Sequence, residues 1–282
     1  MAKIKTSFSG HDKFDCKIDW ITKGLEAYQK DNSIFAQSNI ETTISQLGLG
    51  SNMIKSLNHW LKGFDLIDEE GLTRLGEIIL SCDPYLENSD TLWLLHWNLV
   101  KYNKKNTLYH LFFNKMYPYK FSKNDIIEYI SSWLNMNEIK LSPTTLNSDA
   151  DVFIRMYSND KSDNMSLLSE LNIITRTSQS NFTLNMNAVT DISDELFLYI
   201  LCDYIEMQYT KNITTISIDD IQRGTLSIQK SLCLSENMLY NKINKLSKLT
   251  DNNFKYSETA GMRQIYITTP INKSDILTKI YN

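Results

Sequence analysis

Apolar positions recur at helical spacing in three places along this chain, each time behind a short turn of small or polar residues. Leu47-Gly48-Leu49-Gly50-Ser51-Asn52-Met53-Ile54 matches Leu232-Cys233-Leu234-Ser235-Glu236-Asn237-Met238-Leu239. A weaker copy, Ile139-Lys140-Leu141-Ser142-Pro143-Thr144-Thr145-Leu146, lies between them. The copies begin at positions 47, 139 and 232, too far apart for a solenoid repeat. Met53, Ile54, Leu57, Trp60, Leu61 and Phe64 make a stripe of period about 3.6 after the first turn. Leu146, Ala150, Phe153 and Tyr157 do so after the second, and Leu239, Ile243, Leu246 and Leu249 after the third. Gly50, Ser142 and Ser235 close the turns and leave Ser51, Pro143 and Glu236 in the first helical turn, where each is favourable. Each copy therefore reads as the turn and second helix of a helix-turn-helix.

Short alternating segments follow the helices, as a winged variant requires. Phe64-Asp65-Leu66-Ile67 and Leu72-Thr73 flank an acidic turn, Asp68-Glu69-Glu70-Gly71. Phe254-Lys255-Tyr256 and Met262-Arg263-Gln264-Ile265-Tyr266-Ile267 flank Ala260-Gly261. Ile173-Ile174-Thr175 with Phe182-Thr183-Leu184 makes a third pair. The pattern predicts a mainly α protein with small β-hairpins, built from tandem winged-helix-like domains at 1–100, 101–190 and 191–282.

Solvent faces decide whether such helices can read DNA or dock proteins. The first exposes Ser51, Asn52, Lys55, His59 and Lys62, a set able to contact phosphates and base edges, although its wing tip is acidic. The third exposes Asn241, Lys242, Asn244, Lys245 and Lys248, with Arg263 on its wing. The second carries Asp149 and Asp151 and is a poor DNA reader. Between Lys101 and Lys123 lie six lysines and no acid, interleaved with aromatics. Those aromatics read as core, and some of the lysines as phosphate contacts. His96 in Trp93-Leu94-Leu95-His96-Trp97 reads as a core histidine.

A net charge of −4 excludes a surface basic all round but not a local cationic face. The four cysteines (Cys16, Cys82, Cys202, Cys233) stand singly, without Cys-x-x-Cys spacing, which argues against a structural zinc site or a disulfide framework. No segment is long and apolar enough to span a bilayer, and Met1-Ala2-Lys3-Ile4-Lys5 opens without an apolar secretion core, so a cytoplasmic protein is expected. Walker, dinucleotide-glycine, zinc-protease and nucleophile-elbow motifs are absent.

What chemistry the chain offers gathers at Ser7-Phe8-Ser9-Gly10-His11-Asp12-Lys13-Phe14. One reading is a helix cap, with Ser9 or Asp12 accepting backbone N–H bonds and Phe8 and Phe14 pinning the entry. The other makes His11 and Asp12 a phosphate-contacting or acid–base pair. Glu258, Gly261 and Arg263 form a second polar cluster in a late turn. Neither set has the spacing of a strong metal site.

Phe8–Phe14, Leu47–Met53, Asp83-Pro84-Tyr85-Leu86-Glu87, Thr91–Trp97 and Glu258-Thr259-Ala260-Gly261-Met262-Arg263-Gln264 together resemble the SspB-like family of bacterial DNA-phosphorothioation and phage-defence systems. The resemblance runs from residue 8 to residue 264. That family usually carries Glu-Thr where this chain has Asp12-Lys13, so the carboxylate survives and the hydroxyl does not. The resemblance implies a component that nicks double-stranded DNA, with a divalent metal, Mg²⁺ or Mn²⁺, as cofactor. It implies sulfur-transfer partners: a cysteine desulfurase, a sulfur-activating ATP pyrophosphatase and an ATPase. The family does not identify the residues that cut, and His11, Asp12 and Glu258 are the catalytic candidates, with Arg263 in support. Ser51, Asn52, Lys55, Lys62, Lys242, Lys245 and Arg263 are the DNA-binding candidates. A non-catalytic adaptor that recruits sulfur-transfer enzymes to DNA is the alternative.

Overall fold

Every repeated turn is followed by the helix its periodicity predicts. In the computed structural model, which describes residues 5–158, 165–186, 192–209 and 213–281, these are α3 (Ser51–Gly63), α8 (Pro143–Tyr157) and α12 (Glu236–Leu249). The first and third turns share a backbone feature that explains their likeness. Gly48 and Cys233 occupy matching positions, and both are left-handed, at φ 66° and 51°. The middle copy reverses elsewhere, with Glu138 at φ 55°. Ser142 and Ser235 cap α8 and α12 through their side chains, whereas Gly50 cannot cap α3.

The chain divides into two compact units, residues 1–185 and 186–282. The expected boundary at 190 lies outside the described residues, as do residues 1–4. The fold is mainly helical with small antiparallel sheets. Among the described residues, no helix is long and apolar enough to cross a membrane.

In the first unit, α1 (Ile18–Lys30) packs on α3 and on α4 (Arg74–Cys82), and α2 (Ile40–Leu47) leads into the first turn. α5 (Ser89–Lys101) is buried from Asp90 to Lys101, which explains why its sequence shows no polar face. His96 is fully buried there, its Nδ1 2.7 Å from the Tyr157 hydroxyl, as a core histidine should be. α6 (Thr107–Leu111) runs into a π-helical turn at Phe112–Met116. Tyr109, Phe112, Phe113 and Phe121 join Phe153 and Tyr157 in an aromatic core, so these four aromatics of the lysine-rich segment are structural, whereas Tyr102 and Tyr117 are half-buried and Tyr119 is exposed. α7 (Lys123–Met136) precedes α8.

The predicted hairpin after α8 forms as β2 (Ile174–Arg176) and β3 (Asn181–Leu184), and β1 (Lys120–Ser122) pairs on the other side of β3. After α3 the expected strands do not form. A single antiparallel bridge, Ile67–Leu72, stands in their place. Asp68 Oδ1 accepts from Glu70 N–H and Gly71 N–H, and Thr73 already caps α4, so no length remains for a ladder.

The second unit is built on α9 (Asp194–Gln208), packed against α12 and α13 (Lys273–Ile280). Its sheet has the order β4 (Thr215–Ser217), β6 (Met262–Ile267), β5 (Phe254–Thr259), all antiparallel. Helices α10 (Ile218–Arg223), α11 (Ile228–Ser231) and α12 fall between β4 and β5 in sequence. Ala260 and Gly261, at φ 52° and 79°, make the two-residue hairpin turn read from the sequence.

Candidate functional site

Residues 7–17 form a strap rather than a helix cap. α1 begins at Ile18 behind Lys17, which makes no side-chain cap, so neither Ser9 nor Asp12 plays the capping role. Ser9, Asp12 and Lys13 instead have φ of 63°, 43° and 70°, a run of left-handed non-glycine residues that only surrounding contacts can hold. Ser7 N–H donates to Thr107 Oγ1 at 2.8 Å. Ser9 N–H donates to both oxygens of Asp149, each at 3.1 Å. The carbonyl of Phe14 accepts from Ser56 Oγ and from Trp60 Nε1, at 3.2 and 3.0 Å.

His11 lies at the centre of this strap and is 4% exposed. Its Nδ1 accepts from Lys13 N–H at 3.2 Å, which leaves Nε2–H to donate to Asp149 Oδ1 at 3.0 Å. Its ring lies over that of Trp60, with planes 10° apart and centroids 5.8 Å apart. Both ring nitrogens are thus committed inside the protein. Asp149, read from sequence as a surface acid, is the buried partner that the strap requires. Asp12 is half-buried and takes no side-chain partner among the described residues.

Two further contacts lock the strap. A Cβ on Gly10 would fall 2.3 Å from His59 Nδ1, so only glycine lets the backbone pass over that ring. His59, expected on the solvent face of α3, is therefore half-buried. Burial, then the proximity of His11, lowers its pKa to about 4, so its ring is neutral at physiological pH. Farther along, Asp15 accepts from Arg155 Nε at 2.9 Å, from Lys17 Nζ at 2.7 Å and from Ser166 Oγ. Burial pushes the Asp15 carboxyl up, but these hydrogen bonds outweigh it and hold it below the ordinary carboxylate range. Arg155 also donates from Nη2 to the Lys13 carbonyl at 2.7 Å.

Ser51, Asn52, Lys55 and Lys62 are exposed on α3 as expected, and neither lysine pairs with an acid among the described residues. The basic residues of the second unit are engaged. Lys242 and Lys245 both bind Asp194, at 2.6 and 3.0 Å, and Lys242 also donates to the Ile192 carbonyl. They fasten α12 to the start of α9. Burial raises the Asp194 carboxyl, and the two lysines overcome this to leave it low. Arg263 spans Asp219 at 2.9 Å and the Tyr240 hydroxyl at 2.5 Å. Glu258, opposite Arg263 in register, is exposed and accepts from the Tyr256 hydroxyl at 3.0 Å. His11 and Asp12 belong to the first unit and Glu258 to the second. The lysine-rich segment divides likewise. Lys101 is buried, Lys105 binds Asp65 at 2.7 Å and Lys123 binds Asp151 at 2.6 Å, while Lys104, Lys115 and Lys120 are exposed.

The donor set does not fit a divalent ion at the strap. Nδ1 and Nε2 of His11 and both oxygens of Asp149 already serve internal hydrogen bonds. Among the described residues, no group of three or more His, Cys, Asp or Glu is gathered as metal ligands.

Two solved structures share this fold. A magnesium ion-bound SspB crystal structure superposes with a TM-score of 0.83, and another SspB crystal structure with 0.84. Each is 20% identical and covers 97% of this chain and 86% of its own. No protein of curated function matches the sequence. Residues 8–281 match the family described as a protein of unknown function, DUF4007. The match takes in the strap, α3 and the second unit alike, and the chain belongs to that family.

Proposed function

We propose that this protein is a DNA-binding component of a bacterial phosphorothioation-based DNA modification and phage-defence system, and that it introduces the nick at which sulfur is installed. The observation that carries the reading is the SspB fold over 97% of the chain, joined to the motif set quoted from residues 8 to 264. The solvent face of α3 supports DNA contact. Ser51, Asn52, Lys55 and Lys62 are exposed on one helix, free to meet phosphates and base edges. Residues 194–267 are read as a winged helix, because α9 precedes β4, the helices α10 and α12 (with the short α11 between them) lead to the β5–β6 hairpin, and β6 is the central strand. In this reading a cysteine desulfurase, a sulfur-activating ATP pyrophosphatase and an ATPase are its partners.

A second reading, the non-catalytic adaptor, has one observation in its favour: His11 is buried with both nitrogens engaged. A supercoiled-plasmid assay with Mg²⁺ or Mn²⁺, against an EDTA control, separates the two. Metal-dependent open circles identify a nickase. Intact supercoils accompanied by a gel shift identify the adaptor. Absence of both overturns the DNA reading. For the contact face, Lys55→Ala/Lys62→Ala should lower the slope of log affinity against log salt by about one per lost phosphate contact. Lys242→Ala/Lys245→Ala should leave that slope in place and destabilise the second unit instead.

A further inference from the structure

His11 has no ring nitrogen to offer a substrate, but a second histidine beside it does. Along α3, Asn52, Lys55, His59 and Lys62 are spaced three, four and three residues apart, so they share one helical face. Asn52, Lys55 and Lys62 are exposed, and His59 is half-buried where the strap crosses it. At that end of the stripe a pocket of about 370 Å³ opens between α3, the turn that follows it, Ser7 of the strap and Lys105. His59 and Lys62 both line it.

Neither ring nitrogen of His59 is hydrogen-bonded among the described residues. The ring is fixed nonetheless. It stands edge-on to Trp60, 5.0 Å between centroids, and to His11 at 6.0 Å, and the Gly10 backbone lies against its Nδ1–Cε1 edge. Burial, then His11, keeps the ring neutral, so one nitrogen holds a free lone pair at physiological pH. Charge around the pocket is mixed. Asp65 is held by Lys105 at 2.7 Å, and Asp68 turns Oδ1 to the N–H groups of Glu70 and Gly71. Glu69 is exposed, and Lys62 has no acidic partner among the described residues. Asp68 and Glu69 make the pocket a poor anion trap by itself, so the lysines of α3 have to bring a phosphate to the ring. An anion arriving there raises the proton affinity of the imidazole, and the base strengthens as substrate docks.

We propose that His59 is the general base of the nicking step, with Lys62 neutralising the scissile phosphate. The assignment rests on the nicking function proposed above and supplies its catalytic group. The unprotonated ring nitrogen takes a proton from water, the water oxygen bonds to phosphorus, and the bond from phosphorus to one sugar oxygen breaks. That oxygen leaves with the bonding electrons and takes a proton from solvent. One strand is cut by hydrolysis, without oxidant or reductant.

His59→Ala tests this in the supercoiled-plasmid assay with Mg²⁺. Nicking should slow by at least about a hundredfold, the usual contribution of a general base. Gel-shift affinity for the plasmid should change by less than about threefold, because phosphate contacts from lysines dominate binding. A retained thermal melt shows that the variant is folded. If the melt is lost, His59→Gln, which keeps the volume and cannot shuttle a proton, takes its place and has to lose nicking equally. Imidazoles added in solution to His59→Ala then separate chemistry from packing. 4-Methylimidazole and 4-bromoimidazole are alike in size and unlike in basicity, so a missing base is restored far better by the methyl compound. Rescue in that order upholds the proposal. Equal rescue by both, or none by either, overturns it and leaves His59 a packing role. Undiminished nicking by either variant overturns the assignment and leaves the nickase standing. A plasmid that the wild-type protein never opens overturns both at once.

Discussion

Replacing Asp149 with alanine tests the account of the strap most severely. The carboxylate is 5% exposed, and it accepts from Ser9 N–H and from His11 Nε2. Truncating it strands both donors inside the protein. Each unmet buried donor costs about 1–3 kcal/mol, so about 2–6 kcal/mol for the two. In a unit of this size each kcal/mol moves the melting temperature by about 2–4 °C, so a fall of about 4–24 °C is expected. The assay can be confined to the relevant unit without dissection. All five tryptophans (Trp20, Trp60, Trp93, Trp97 and Trp133) lie in the first unit, so urea unfolding followed by tryptophan emission reports that unit alone. Asp149→Asn, which keeps one acceptor, should lose less than half as much. Asp151→Ala on the same helix loses only a half-exposed pair with Lys123 and should stay within about 1 kcal/mol. A loss below about 1 kcal/mol for Asp149→Ala, or equal losses at 149 and 151, would refute the strap as a structural clasp.

Gly10→Ala should destabilise the first unit by about 1–3 kcal/mol, because the new methyl collides with a ring that Trp60 and His11 hold in place. Adding His59→Ala in the same urea assay should restore most of the loss, and no recovery would mean that the collision is relieved elsewhere. His59 also predicts a pH dependence. Its folded pKa of about 4 lies below its ordinary value of 6.5, so the unfolded chain binds the extra proton first as the pH falls. Stability should be level above pH 6.5 and decline between 6.5 and about 4, and His59→Gln should flatten that decline. Asp15 acts in a lower window. Its depressed folded pKa preserves its contribution at neutral pH and surrenders it as the pH drops below 3.8 toward the folded value.

Where local periodicity carried the information, the sequence was a sound guide. α3, α8 and α12, the β5–β6 hairpin and the β2–β3 pair all lie where spacing and turn residues place them. β1 and β4 were not foreseen, because three residues are too few to show an alternating pattern. The candidate site was legible in part. Helical spacing found the exposed face of α3, but nothing local distinguishes Lys242, bound to Asp194, from Lys55, which faces solvent. His11 and Asp149 are 138 positions apart, and their meeting depends on tertiary packing that no window of sequence contains. The one local hint was negative: Asp149 shares the buried face of α8 with Leu146, Ala150 and Phe153.

The strap also imposes an order on the newborn chain. Its partners Asp149 and Ser166 stand 140 and 151 residues downstream of Ser9 and Asp15. At synthesis rates of about 5–20 residues per second, the N-terminal segment waits about 8–30 s for them to be made. Residues 7–17 therefore leave the ribosome well before these partners and are among the last segments of their unit to dock. During that interval Phe8, Phe14 and Cys16 are available to whatever chaperone or neighbouring chain meets them first. A nascent chain halted before residue 149 would present them indefinitely.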